Sequence, residues 1–329
     1  MRGSSTRLAK WMVRSAQTIL LATLCLGGIG QAQTVAPQAE IVTLGTMAGP
    51  MANPERSQPA TLLRWPEGML LIDVGDGTVE QMARAGINGV PLRTLVITHI
   101  HADHIGGLFA LLTRRYQLID PPLTIYGPPG TKAMVDGLVA AMEPLVVTSP
   151  ALPGAPRRDP AAGVTVIEIS DGGTVTIEGI AVRAIANTHY MSGPAAPDST
   201  SAQSLSLRFE LPGRSVVVTG DTGPSERLTQ LAQGADVLVS SVLDLDAAVA
   251  AIRESRPGAA PAFYETARAH FAQHHLSPAA AGHLAQTAGV RQLLLTHIGI
   301  TPDRMAAATA ELTAHWSGPY VFASDLGRY

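Results

Sequence analysis

The chain has 329 residues, of which 46% are hydrophobic and 15% are charged, and it contains 32 glycines and 24 prolines. A chain of this length can bury a substantial core, as one large domain or two fused domains, and the composition is that of a loop-rich globular protein. The formal net charge is −3, and the single cysteine, Cys25, excludes a disulfide framework.

Residues 1–32 differ in character from the rest of the chain. Four Lys or Arg residues precede an apolar run at 19–26, and the small-residue end Gly30-Gln31-Ala32 follows. This is the pattern of a secretory signal peptide, and it is too short to favour a permanent membrane anchor. We therefore predict a signal peptide at 1–32, a mature protein at 33–329, and a periplasmic or secreted location.

Cleavage of this segment would change the chemistry of the mature protein. It removes Cys25, which leaves neither disulfides nor thiolate ligands. It also removes four positive charges and no negative ones, which takes the formal net charge from −3 to −7. From this acidity we expect no nucleic-acid partner, because long polyanions would be repelled. We also expect no stable membrane association after cleavage, and a homodimer is compatible with the sequence.

The first half of the mature chain reads as alternating strands and helices. Apolar runs predict strands at 40–46, 60–64, 69–72, 92–97 and 123–126. Asp73 directly follows the third strand. We expect Asp76 to cap a helix at 78–85, and two further helices at 106–116 and 131–142.

The second half contains two insertions and a predicted hairpin. Residues 149–163 are rich in Pro, Ala and Gly and predict a surface loop, and 247–272 predict an Ala-rich helical insertion broken at Pro257-Gly258. The segments 164–169 and 174–177 flank Asp171-Gly172-Gly173, which indicates a hairpin turn.

Three histidines and an aspartate fall within six residues directly after the strand at 92–97. They are His99, His101, Asp103 and His104, in the stretch Thr98-His99-Ile100-His101-Ala102-Asp103-His104. Open α/β sheets place their chemistry at the carboxyl ends of strands, and imidazole and carboxylate groups suit zinc. The alternative is a polar loop whose histidines are merely solvated.

Three later apolar runs also end in a potential ligand. His189 follows residues 180–186, Asp221 follows 215–219, and His297 follows 290–295. Metal sites are built from such strand ends when the fold brings them together. Judged alone, His189 and His297 would more often be ordinary histidines, but their order and placement favour ligation.

This set of motifs resembles the metallo-β-lactamase superfamily of dinuclear metal hydrolases. The opening Leu44-Gly45-Thr46 and the loop after it are most similar to the ribonuclease Z and arylsulfatase branch. The resemblance implies an α/β fold, a four-layer αβ/βα sandwich over residues 33–329, with two Zn²⁺ ions per chain; Mn²⁺ or Fe²⁺ are alternatives. It assigns the first metal to His99, His101 and His189, assigns the second to Asp103, His104 and His297, and makes Asp221 the bridge between them.

The same resemblance implies catalytic roles for two residues. A metal-bridging hydroxide would attack the substrate, Asp103 could take a proton, and His275, which precedes a helix, would protonate the leaving group. His275 could equally be a helix-entry residue without a partner. In the branch an Asp such as Asp73 orients metal ligands.

We expect a small anionic ester as substrate, either a phosphodiester or an aryl sulfate. A lactonase or β-lactamase is the second hypothesis, and a metal-binding protein without turnover is the third.

Overall fold

The computed structural model describes residues 39–87, 92–118, 121–148, 158–190 and 202–329. The predicted signal peptide and most of the loop at 149–163 lie outside the described residues. The strands within these ranges are β1 Glu40–Gly45, β2 Ala60–Trp65, β3 Gly68–Ile72, β4 Thr94–Val96, β5 Leu123–Gly127, β6 Val164–Glu168, β7 Thr174–Ile177, β8 Ile180–Ala186, β9 Leu205–Leu211, β10 Arg214–Val218, β11 Val237–Leu243, β12 Gln292–Gly299, β13 Tyr320–Phe322 and β14 Gly327–Arg328.

The helices alternate with the strands. They are α1 Thr78–Arg84, α2 Ala102–Ile105, α3 Leu108–Leu118, α4 Thr131–Ala140, α5 Glu143–Thr148, α6 Glu226–Ala232, α7 Leu245–Ser255, α8 Pro261–His274, α9 Pro278–Ala288 and α10 Met305–Thr313. None of these described helices combines the length and the apolar character needed to cross a membrane.

Two sheets of seven strands form the centre of the molecule. The first has the order β14-β1-β2-β3-β4-β5-β6, and the second has the order β13-β12-β11-β10-β9-β8-β7. β3 to β6 run parallel, as do β10 to β13, and the other neighbouring strands pair antiparallel. Each sheet therefore combines a parallel half, with helical crossovers, and an antiparallel half.

The predicted hairpin at Asp171-Gly172-Gly173 is wrong. β6 pairs with β5 in the first sheet, whereas β7 pairs with β8 in the second. The glycine turn therefore carries the chain from one sheet to the other, which places the junction between the two halves here. Asp76 does not cap α1 either, because its Oδ1 accepts only from the amide of Gly77, which is itself the N-cap residue.

Three clusters of buried side chains separate the layers. One lies between the sheets and contains Leu63, Val182 and Phe209. A second joins the first sheet to the helices outside it, and a third does the same for the second sheet. The layer order is thus helix, sheet, sheet, helix, which confirms the predicted αβ/βα sandwich.

The chain returns at its C-terminal end to the first sheet. β14 pairs with β1, and the carboxylate of Asp325 just before it accepts from Thr46, Ser57 and Gln81. These bonds fix the loop between β1 and β2, which passes beside the site described next.

Candidate metal centre

The histidine-rich motif occupies the link between β4 and α2. His99 lies in the extended part of this link and is fully buried, while His101 is the exposed N-cap residue of α2. Asp103 and His104 lie in the first helical turn, and both are buried. The sequence predicted a loop, but a four-residue helix carries half of the motif. This turn separates the two pairs of side chains.

Asp73 holds the motif from the end of β3. Its Oδ1 accepts the amide of Thr98 at 2.7 Å, and its Oδ2 lies 2.8 Å from Nδ1 of His104. The Thr98 hydroxyl also donates to this carboxylate and contacts Nδ1 of His99 at 3.1 Å. These contacts are those that the predicted orienting role of Asp73 requires, and they leave Nε2 of His104 facing Asp103 and Asp221.

The second sheet supplies three further candidate ligands, His189 and Asp221 just after β8 and β10, and His297 within β12. His189 places Nδ1 3.1 Å from the carbonyl oxygen of His274, so its Nε2 faces the motif histidines. Asp221 follows Gly220, whose φ of 57° lies in the left-handed region. A Cβ at Gly220 would meet the carbonyl oxygen of Leu205 at 2.9 Å, which favours glycine at this close approach.

His297 occupies a β-bulge in β12. Ser241 of β11 pairs with Thr296 and Val242 pairs with Ile298, so His297 is the extra residue between them. Its φ of 46° lies in the left-handed region. Bulges beside functional sites re-aim a side chain, and this one turns His297 toward Asp103 and Asp221.

The seven predicted ligands converge in two groups. His99, His101 and His189 form one group, and Asp103, His104, Asp221 and His297 form the other; within each group the ligand atoms lie within 4.8 Å of one another. Asp221 approaches both groups, since its carboxylate lies 3.8 Å from Nε2 of His189 and 3.4 Å from Nε2 of His297. This position between the groups is the one that a bridging ligand requires.

Unpartnered buried atoms support the binding of metal ions here. Nε2 of His99, Nε2 of His104 and Oδ1 of Asp221 are buried without a hydrogen-bond partner. Burying such atoms unsatisfied costs free energy, so they are expected to have a partner that the protein itself does not supply. Imidazole nitrogens and carboxylate oxygens are ligands of divalent cations, and the residues present fit two of them.

Burial and charge shift the pKa values of the ligands in opposite directions. Burial lowers the pKa of His99 well below its usual value and that of His189 to about 4, which keeps both imidazoles neutral. Burial alone would also lower the pKa of His104, but the carboxylates of Asp73 and Asp221 raise it well above its usual value. Burial would raise the pKa of Asp103, yet its hydrogen bond with His297 and the nearby histidine charges lower it to about 2.

A cleft of about 580 Å³ opens over these ligands. Its volume is in the range of small-ligand sites. His275, the residue directly after α8, lines it with Nδ1 4.0 Å from Oδ2 of Asp221 and a side chain that is 20% exposed. The side chain of His274 also borders the cleft but is engaged with the carbonyl of Thr188. His275 is thus the freer of the two histidines to meet a substrate.

Sequence reasoning missed two residues of this site. Tyr190 follows His189, and its hydroxyl accepts the amide of Ile100 at 2.8 Å, between the two motif histidines His99 and His101. Gly49 donates its amide to Oδ2 of Asp103 at 3.2 Å. Adjacency to a predicted ligand could have indicated Tyr190, whereas no local signal connects Gly49 to a motif more than 50 residues away.

Comparison with known proteins identifies the family of this chain. The profile of the β-lactamase superfamily domain matches residues 69–298. A ribonuclease Z of Mycobacterium avium is 33% identical over 262 residues, which cover 78% of this chain and 85% of that protein.

Two solved structures share the fold. The metallo-β-lactamase fold protein YhfI of Bacillus subtilis has a TM-score of 0.62 at 17% identity and covers 88% of this chain and 98% of its own. The short form of human tRNase Z has a TM-score of 0.59 at 22% identity, with the same shares covered.

The sandwich and its two ligand groups define a metal-binding hydrolase of the metallo-β-lactamase fold. The chain belongs to the β-lactamase superfamily, close to the ribonuclease Z branch.

The expectation of a small anionic ester substrate and no nucleic-acid partner is contradicted by these relatives, which are named for action on RNA. The net charge of −7 expected after cleavage misled because it averages the whole surface, whereas a phosphodiester would be met by one cleft and by any cations that its residues hold.

Proposed function

We propose that the protein is a phosphodiesterase that cleaves RNA with two zinc ions bound. The observation that carries the proposal is the convergence of seven His and Asp ligands, with three buried donor atoms left unpartnered. The similarity to ribonuclease Z supports the choice of RNA phosphodiesters as the substrate class. The donor set, without a thiolate, suits zinc, and Mn²⁺ or Fe²⁺ remain alternatives.

Cations held by these two groups of residues would supply Lewis acidity for activating a water molecule and positive charge to offset that of the reacting phosphate. Asp103, with its pKa lowered to about 2, is ionised at neutral pH, so its carboxylate is available to ligate a cation and to accept hydrogen bonds. The Gly49 amide and Nε2 of His297 hold this oxygen from two sides. Asp103 is therefore positioned to ligate a cation, and its role as a proton acceptor stays a prediction, because a carboxylate with a pKa of about 2 is a weak base.

His275 lies beside Asp221, and its side chain is 20% exposed in the cleft, where it can contact a substrate. Burial lowers its pKa to about 4, with a smaller opposing effect of Asp221, so the imidazole is neutral near pH 7. A neutral imidazole can donate an N–H hydrogen bond to a phosphate or leaving-group oxygen. Its role as a general acid stays a prediction, because the cationic form is disfavoured until a negatively charged substrate is bound.

The test combines metal counting with a substrate panel, before and after chelation. The panel contains a tRNA transcript with extended ends, an unstructured RNA of equal length, bis-p-nitrophenyl phosphate, p-nitrophenyl sulfate, a homoserine lactone and nitrocefin. We expect about two metal ions per chain and chelation-sensitive cleavage of RNA and of the phosphodiester. A protein that holds both metals and cleaves only the sulfate, the lactone or nitrocefin would overturn the proposal.

A paired variant tests the contact from His275. We expect His275→Ala to lower phosphodiester turnover by 10²-fold or more while metal content is unchanged, as for loss of a group that acts on the reacting centre. His283→Ala is the matched control, because His283 lies exposed on α9. Equal turnover in both variants would reduce His275 to a packing residue.

A further inference from the structure

The wall of the cleft that faces the candidate metal ligands combines apolar side chains with those of Ser241, His270 and His274. It is formed by β11 and the two helices after it, and its side chains include Leu243, Ala248, Ala251 and Phe271. Among the described residues that line the cleft there is no lysine and no arginine. A substrate phosphate would therefore bind on the side of the candidate metal ligands. The part of the substrate attached to that phosphate would contact the opposite wall, which has no lysine or arginine among the described residues.

Phe271 is the aromatic side chain of this wall. It lies in the last turn of α8, where its carbonyl accepts the amide of His275 at 2.8 Å. Its ring is half-buried, and its centroid lies 6.1 Å from that of His275. His275 itself reaches to 4.0 Å of Asp221, so the phenyl ring is the neighbour of a side chain that approaches the ligand cluster.

Small residues keep the space before this ring open. Ala248 and Ala251 are one helical turn apart on α7, so both present a methyl group to the cleft, and bulkier residues there would fill it. A surface with a flat aromatic ring and methyl groups, and with no lysine or arginine among its described residues, suits a planar heterocycle better than a second phosphate.

We propose that Phe271 is a specificity-determining residue that stacks against the nucleobase adjoining the phosphate at the metal centre. The inference rests on the proposed RNA phosphodiesterase function and extends it. Stacking of the base would add binding free energy at a wall where, among the described residues, no lysine or arginine is present to bind a further phosphate. Because every nucleobase has a π-face, this contact selects nucleotides over sugar phosphates without selecting a base.

The experiment measures binding of adenosine 5′-monophosphate and of ribose 5-phosphate to the zinc-loaded protein by calorimetry. The two probes share the sugar and phosphate and differ by the base. We expect the nucleotide to bind at least about fivefold more tightly, since a base stacked on an aromatic ring contributes at least that factor. Phe271→Ala should abolish this ratio and leave binding of ribose 5-phosphate unchanged.

Two further variants keep the test decisive. Phe271→Tyr should retain the affinity ratio, because it keeps the aromatic ring. Phe271→Leu should lose most of the ratio, and because leucine preserves apolar volume, this variant serves if Phe271→Ala folds poorly. Phe263→Ala is the matched control, because this phenylalanine lies on the same helix but is 39% exposed and packs against Arg256. Equal affinities of the two probes in the unaltered protein, or an unchanged ratio in Phe271→Ala and Phe271→Leu, would overturn the inference.

The binding measurements with the two probes can fail independently of the cleavage assays that test the proposed function. Failure to cleave RNA or bis-p-nitrophenyl phosphate would reject the phosphodiesterase, even if the nucleotide binds at Phe271. Cleavage of both with no preference for the nucleotide would instead reject the stacking contact alone.

Discussion

Replacing Asp73 with asparagine should weaken metal binding at the group that contains His104. The carboxylate Oδ2 lies 2.8 Å from Nδ1 of His104, and the two side chains are only 7% and 2% exposed. Because Oδ1 accepts the amide of Thr98, the oxygen of asparagine must stay there and its NH₂ group must face the imidazole. Two donors would then meet, and His104 would have to rotate or move its proton to Nε2, the atom turned toward the cation.

Loss of such an orienting partner typically weakens metal affinity 10- to 100-fold, or about 1.4–2.7 kcal/mol. The backbone should tolerate the change, since Asp73 has a φ of 57° and asparagine readily adopts this left-handed conformation. We therefore expect loss of affinity without a comparable loss of folding.

The assay is a zinc titration against a competing chelator, with metal counted per chain after dialysis. Asp73→Asn should retain one tightly bound ion, at His99, His101 and His189, and bind the second 10- to 100-fold more weakly. Asp76→Asn is the matched control on the same loop, exposed to solvent. If Asp73→Asn binds both ions as tightly as the control does, the orienting role of Asp73 is refuted.

Three further predictions concern the same centre. Gly49→Ala should retain the fold but lower phosphodiester turnover by about tenfold or more, because the added Cβ would lie 2.2 Å from Cβ of Asp103 and displace that carboxylate. Unchanged kinetics would contradict this prediction and show that the loop moves to make room for the methyl group. Tyr190→Phe should weaken metal binding at His99, His101 and His189 by about tenfold, since it removes the acceptor for the Ile100 amide. Competition with a chelator measures the affinity, and an affinity equal to that of the unaltered protein would contradict the prediction. Finally, metal binding at pH 7 should release about one proton per chain, because the raised pKa of His104 keeps its imidazole protonated before the metal binds, and the affinity should therefore increase as the pH rises. His99 and His189 have lowered pKa values and should release none. Calorimetry in buffers of different ionisation enthalpy measures the release, and finding no released proton would refute this prediction.

The sequence indicated the candidate ligands because each of them, or the motif that contains it, follows an apolar run. Strand ends at one sheet edge meet in space, so the placement of His189, Asp221 and His297 could be inferred from local patterns. The junction between the sheets could not, because Asp171-Gly172-Gly173 has the composition of a hairpin turn while long-range pairing assigns β6 and β7 to different sheets. Turn composition reports the local bend and carries no information about the partner strand.

Other features depended on contacts between distant segments. The bulge at His297 has no local signature, since its left-handed φ arises from pairing with β11. Gly49 and Phe271 approach the centre only after the loop beyond β1 and the helix α8 have packed. The nucleic-acid expectation failed for a different reason, because total charge does not describe the field within one cleft.

The return of the chain to the first sheet affects the order in which the centre can form. Asp325 bonds to Thr46 across 279 residues of sequence, and the loop that it fixes carries Gly49 to Asp103. Contacts of such separation form late, because a long loop must close first. During synthesis on the ribosome, His99 to His104 emerge long before Asp325 does. The nascent chain therefore exposes the candidate metal ligands before the loop that carries Gly49 is fixed, and full activity should appear only after Asp325 has been synthesised.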